Sequence, residues 1–227
     1  MQARKQRRRA IAIALAFIAA AGLGVAAFGE RWLTNPAEGG TWGYDQAGFE
    51  RATGMGLRTY ERCSGANCAS VTNFELIDLL EAEIERVKAL NATLPAKDQL
   101  ALPRKPWHGF PVVGMIAFVC ALIAAAGLLV GGALALTGKR PVVPIMPTTI
   151  AVLGLIGSII AGCIFVATKP EMAEPMVVGW TFMAYGGAAV VGLAAVFPLN
   201  RAIRPIDVEL GEAGSTMSWG GSRDDQP

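Results

Sequence analysis

Cys63 and Cys68 have four residues between them in the stretch 54–72, GMGLRTYERCSGANCASVT, and this close pair is the sharpest chemical signal in the chain. Two thiols at that spacing support one of two chemistries. Ser64-Gly65-Ala66-Asn67 between them is good turn material, so a disulfide would staple two adjacent strands. Closing so small a loop adds roughly 2 kcal/mol, the low end for disulfides. The alternative is a redox-active pair and a thiol–disulfide oxidoreductase. Membrane enzymes that make disulfides usually use CxxC near a quinone, whereas the spacing here is CxxxxC. Cys120 and Cys163 lie deep in apolar segments and cannot serve as a second outer pair. His108, the only histidine, stands beside Trp107, a setting that suits interfacial packing better than a ligand or proton-transfer role. HExxH, Walker, GxSxG and paired Cys/His metal patterns are missing from the sequence. The expectation is a non-enzymatic protein with no catalytic, cofactor-binding or metal-binding residue.

The elements that must position the pair are set by where charge is avoided. Hydrophobic residues make up 53% of the chain and charged ones only 17%, which argues against a soluble protein. Four windows, 10–28, 110–137, 147–167 and 176–197, contain no Asp, Glu, Lys, Arg or His. Each matches the roughly 20 apolar residues that cross a hydrocarbon core of ~30 Å. Backbone groups in lipid must be satisfied within the segment, so the windows are predicted to be transmembrane helices. They also lack the ionisable groups that mark transport pathways.

Cationic residues assign an orientation. Arg4, Lys5, Arg7, Arg8 and Arg9 precede the first span, Lys139 and Arg140 lie between the second and third, and Arg201 and Arg204 follow the fourth. Retention of such clusters on the cytoplasmic side puts both termini inside. The arginine-rich start is thus a topology anchor rather than a nucleic-acid site. Residues 1–28 have the charge pattern of a signal peptide, but the apolar run is longer than the usual 7–15 residues and reads as an uncleaved helix. The resulting plan is a basic cytoplasmic start (1–9), an extracytoplasmic segment (29–109), a cytoplasmic turn (138–146), a short outer turn (168–175) and a disordered cytoplasmic tail (198–227). An Ala-, Gly- and Arg-rich composition points to a GC-rich bacterial source, and so to the plasma (inner) membrane.

Within 29–109 the character changes once. Residues 31–60 are rich in Gly, Thr and aromatics, with turn signals at Asn35-Pro36 and Gly39-Gly40, which suits short strands. From Asn73, Phe74, Ile77, Leu80, Ile84 and Val87 recur at three- and four-residue spacings, predicting an amphipathic helix over 73–90. Thr72 or Asn73 could cap its start. Its apolar stripe either covers the small sheet or offers a contact surface. Gly127 and Gly131 form a small-xxx-small face on the second span, suited to close helix packing.

Trp32 just after the first span, then Gly56-Leu57 ahead of Cys63 and Cys68, resembles the W…GLW…C…C first loop of the claudin superfamily. Four spans with both ends inside, a long first outer loop and a short second one fit the same layout. The resemblance implies that the cysteines bridge neighbouring strands of an outer sheet, with Trp32, Gly56 and Leu57 in its core. It also implies that a helix follows the second cysteine and leads into the second span. Arg58 departs from the aromatic of that motif, and the second outer loop is too short to contribute much of a strand.

The expected fold is a membrane all-α four-helix bundle with a small extracytoplasmic β-sheet plus one amphipathic helix. The expected function is a structural, adhesion or auxiliary role through lateral or extracytoplasmic contacts. The partners would be the lipid bilayer, other membrane proteins or further copies of itself. The rivals are a subunit of a larger membrane enzyme or transporter complex and the thiol–disulfide oxidoreductase.

Overall fold

Long apolar runs free of interior charge form four helices in the computed structural model, which describes residues 2–35, 53–64, 67–137, 146–172 and 176–203. These are α1 (Gln2–Phe28), α3 (Gly109–Thr137), α4 (Met146–Ala167) and α5 (Trp180–Ile203). All four are long and apolar enough to cross a membrane. Between α1 and α3 come β1 (Leu33–Thr34), β2 (Gly54–Met55), β3 (Thr59–Ser64), β4 (Asn67–Thr72) and helix α2 (Asn73–Asn91). β5 (Val177–Val178) lies just before α5. The turn signals at 36–52, most of the turn 138–146, part of the turn 168–175 and most of the tail 198–227 fall outside the described residues.

The helices pack as an up-down-up-down ring in which α1 lies against α3 and α5, and α3 against α4. Small residues set the spacing. A Cβ built on Gly127 would lie 2.8 Å from the Ala151 backbone nitrogen, and one on Gly154 would lie 2.7 Å from that of Ala124. The backbones of α3 and α4 therefore touch, the arrangement that supports association in lipid. Large apolar side chains such as Ile18, Leu153, Val190 and Phe197 point outward around the ring. A surface this apolar suits acyl chains rather than water and marks a multi-pass membrane protein.

Several boundaries differ from the sequence expectation. The basic start is helical from Gln2, and Arg9 donates through Nε (2.8 Å) and Nη2 to the Ala135 carbonyl in the last turn of α3. That carbonyl has no partner within its own helix. The fourth helix begins at Trp180 rather than 176, because Val177–Val178 pair with β1 instead. It also runs through Pro198 to Ile203, six residues beyond the expected end at 197. Leu199 and Ile203 are buried there, with Leu199 against Gly131 of α3.

The sheet order is β4-β3-β2-β1-β5, antiparallel throughout. The second outer turn, between α4 and α5, was expected to be too short for much of a strand. Two residues suffice, because β5 need only extend the β1 edge, Val178 opposite Leu33 and Val177 opposite Thr34.

Candidate functional site

The sheet is seated on the helix ends by one short segment, residues 29–34. Trp32 leaves the end of α1 and turns its ring into the bundle, where it is fully buried. Its indole Nε1 donates to the Ala26 carbonyl in the last turn of α1 at 2.7 Å. The ring meets Phe165 of α4 and Phe182 and Tyr185 of α5 at centroid distances of 6.1, 5.5 and 5.0 Å. Phe165 in turn stacks on Phe110 of α3 at 4.4 Å. A single tryptophan thus joins α1, α4 and α5, with α3 one ring further on. A Cβ on Gly162 would approach the Trp32 ring to 3.2 Å, so a small residue on α4 makes room for the indole.

Gly56 and Leu57 lie in the turn between β2 and β3, both buried. A Cβ on Gly56 would fall 2.7 Å from the Gly29 carbonyl, so this glycine lets the turn lie flat on the end of α1. The Leu57 carbonyl abuts Gly114 of α3, where a side chain would strike it. Arg58 then lays its guanidinium over two rings, 4.5 Å from the centroid of Phe118 and 5.3 Å from that of Phe28.

A buried ion pair locks the same region, and sequence reasoning missed it. Arg31 Nη2 sits 2.7 Å from Glu61 Oε2, with the two side chains 6% and 8% exposed. β2 lies between the two residues in the sheet order. Arg31 crosses it at Gly54, where a Cβ would collide with Arg31 Nη1 and Cδ. The only local signal is a glycine in register with Glu61, and pairing across three strands leaves no sequence spacing to read.

Cys63 and Cys68 are directly opposite one another in the β3–β4 register. The free cysteines among the described residues are Cys120 and Cys163.

Helix α2 starts on a full capping box. The Glu75 N–H donates to Thr72 Oγ1 (3.2 Å) and the Thr72 N–H donates to Glu75 Oε2 (2.8 Å). The Thr72 backbone bond first, and its hydroxyl second, hold the Glu75 carboxyl below its ordinary value of 4.5. Of the two expected caps Thr72 is the one used. Asn73 is buried as the first helical residue, its Nδ2 donating to Gly56 O at 3.0 Å and its N–H to Arg58 O at 2.8 Å.

The predicted apolar stripe of α2 divides. Ile77 and Ile84 are buried, Leu80 and Val87 half-buried, and Leu76, which the spacing did not single out, is buried with them. Ile77, Ile84 and Leu76 are thus covered by the chain itself, while Leu80 and Val87 keep part of their surface exposed. Phe74 is 49% exposed and lies instead beside α3, lining an apolar groove of about 320 Å³ with Val112, Met115, Ile116, Val119 and Cys120. The segment after α2 folds back along it. Asn91 exchanges two 2.8 Å bonds with Leu100, and His108 Nε2 and Lys105 Nζ lie 3.0 and 3.4 Å from Glu81 Oε1.

Gly127 and Gly131 do not share one partner helix. Gly127 faces α4, whereas a Cβ on Gly131 would lie 2.9 Å from Leu199 of α5. Among the described residues no cluster of three or more His, Cys, Asp or Glu could hold a metal ion. No family model matches the chain, and no curated protein matches it either.

Proposed function

We propose that this protein is a claudin-like tetraspan that works through protein contacts in and beside the membrane, in a structural, adhesion or auxiliary role, without catalysing a reaction. The observation that carries this reading is the rigid seating of a small polar domain on a four-helix bundle. Trp32 and the Arg31–Glu61 pair tie the sheet to the helix ends. β5 closes it with a strand from the segment between α4 and α5. α2 then covers the assembly and turns Glu83, Glu85, Arg86 and Lys88 to solvent. A domain held this firmly presents one surface in one orientation to a partner, which lowers the ordering cost of binding.

The cysteine pair fits the same reading as a staple. Residues directly opposite across antiparallel strands have Cβ atoms about 4.5–5.5 Å apart, and modest adjustment brings them to disulfide distance. The sheet then faces an oxidising compartment, with both chain termini in the cytoplasm.

The test is purification of the full chain in mild detergent after cross-linking in its native membrane, with identification of every attached chain. The expected result is a defined assembly, with itself or one stoichiometric partner, that Arg86→Glu weakens. A strictly monomeric, partner-free protein in the membrane would sink the proposal. Mapping of unreduced peptides should find Cys63 joined to Cys68 in essentially every molecule. A large free-thiol or mixed-disulfide fraction would favour redox exchange instead.

A further inference from the structure

Arg58 and the groove beneath Phe74 lie side by side on the same stretch of α3. Arg58 stacks on Phe118, and the neighbouring Val119 lines the groove. On the other side, the Asn73 N–H bonds the Arg58 carbonyl, and the next residue is Phe74. A cation and an apolar channel are therefore joined through two adjacent elements.

Depth makes this pairing informative. The 29 residues of α3 span about 43 Å at 1.5 Å per residue, against a hydrocarbon core of ~30 Å. Arg58 lies over Phe28, the last residue of α1, as well as over Phe118, so its guanidinium sits at the sheet end of the spans, toward the interface. Among the described residues no carboxylate pairs with Arg58. Ring faces offset part of the cost of its charge, but they accept no hydrogen bonds from its five N–H donors. A cation at such a depth reaches toward the interface for an anion. The group that the membrane itself supplies there is a lipid phosphate, which the guanidinium fork matches in geometry.

The groove supplies the other half of such a ligand. Its lining is Phe74, Val112, Met115, Ile116, Val119 and Cys120, with no charged group. Val112, Ile116 and Val119 stand on the outward face of α3. An acyl chain fits a furrow of this character. Phe74 bounds it at the sheet end, near the place where a phosphate on Arg58 would sit.

We propose that Arg58 and this groove form a seat for one phospholipid, with the phosphate on the guanidinium and an acyl chain between Phe74 and Val119. The lipid would bridge the β2–β3 turn, the start of α2 and α3. This inference needs only that the helices cross a bilayer, and it stands apart from the proposal that the protein works through protein contacts.

The test is native mass spectrometry of the full chain released from detergent micelles carrying dioleoyl phosphatidylglycerol. Parallel micelles carry dioleoyl glycerol, which has the same chains without the phosphate. The expected result is retention of one phosphatidylglycerol per chain, with dioleoyl glycerol held at least about tenfold less. Arg58→Gln should lower phosphatidylglycerol retention by about tenfold, the effect of losing one charge-assisted hydrogen bond. Ile116→Trp fills the groove without touching Arg58, so it should lower retention even where Arg58→Gln fails to fold. Equal retention of the two lipids overturns the proposal. Full retention by a folded Arg58→Gln or by Ile116→Trp does the same. So does a second copy of the chain that occupies this face of α3 and excludes lipid.

Discussion

The Arg31–Glu61 pair allows the most demanding test of how the sheet is held. Both side chains are more than nine-tenths buried and meet at 2.7 Å. At an effective dielectric near 20, two unit charges about 4 Å apart attract by about 4 kcal/mol, while desolvation of both ions opposes this. The pair is therefore not expected to add much net stability over a well-packed apolar substitute. Removing one partner is another matter. Glu61→Gln keeps the shape but leaves the Arg31 guanidinium buried without a counter-charge, and such changes cost about 3–5 kcal/mol. Arg31→Met takes the buried counter-charge away from the Glu61 carboxylate and should destabilise as well. In the double variant Arg31→Met/Glu61→Met no charge is stranded, so the total loss should fall well below the sum of the single losses.

Equilibrium unfolding of the full chain in mixed micelles, followed by circular dichroism, measures all four corners of the cycle. The expected coupling is about 3 kcal/mol or more. Gly54 supplies an independent arm, since its missing Cβ is what lets Arg31 cross β2. Gly54→Ala should cost about 1–3 kcal/mol in the parent by overpacking, and part of that cost should persist once Arg31 is Met, because the Glu30 carbonyl also lies 2.7 Å from the added Cβ. Additive losses around the cycle, within about 0.5 kcal/mol, would refute the reasoning.

Three further expectations follow from the packing. Trp32→Ala should cost about 3–5 kcal/mol, whereas Trp32→Phe should cost far less. The Ala26 carbonyl keeps its bond from the Gly29 N–H (3.2 Å), so the lost indole bond alone is worth about 1 kcal/mol. Unfolding measurements on the two variants should rank them in that order. Gly154→Ala should destabilise by about 1–3 kcal/mol, because its Cβ would press on the Ala124 backbone. Gly187→Ala, with open space around it, should be neutral or stabilising, and equal losses at the two sites would remove the argument from close α3–α4 approach. The capping box gives a pH dependence. The folded Glu75 carboxyl titrates below its unfolded value of 4.5, so its contribution is fully present above pH 4.5 and is lost as pH falls through the folded value. Melting temperatures of the parent and Glu75→Gln should differ at pH 7 and converge below pH 4.5.

Much of this architecture could be read from residue order, and the parts that could not share a physical cause. The four spans are visible because charge is excluded from them, a pattern that needs no knowledge of tertiary partners. α2 is visible through its 3.6-residue period, and β3 and β4 through turn residues between two cysteines. By contrast β1, β2 and β5 are two residues each, too short for alternation to exist. Val177 and Val178 are as apolar as the helix that follows, so composition alone extends that helix over them. Phe74 parts from the buried residues of the stripe although it shares their spacing, because Phe74, Leu76 and Ile77 all lie within one turn of the helix. Spacing alone cannot say which of them points inward. Leu76 and Ile77 do, since the Asn73 bonds to Gly56 and Arg58 fix the roll of the helix on the β2–β3 turn.

That same turn explains why the sheet can be rigid with so few hydrogen-bonded residues. Strands of two residues cannot hold a sheet together on their own ladder bonds, and isolated hairpins are marginal in water. Stability has to come from below, and the segment 29–34 delivers it at three levels. The Trp32 ring is anchored among the helices, the Arg31 side chain crosses the sheet to Glu61, and the Arg31 and Trp32 carbonyls accept from the Thr181 and Gly179 N–H groups at the start of α5. Each level needs a neighbour without a side chain: Gly162 for the ring, Gly54 for the guanidinium, Gly179 for the backbone. A substitution at Gly54 or Gly179 should loosen the sheet while sparing the helices, since neither glycine lies within a helix. Hydrogen exchange localised by peptide should therefore show faster exchange in β1, β2 and β3, with unchanged protection of α3 and α4. Uniform loss of protection would mean that the sheet and the bundle fold as one cooperative unit.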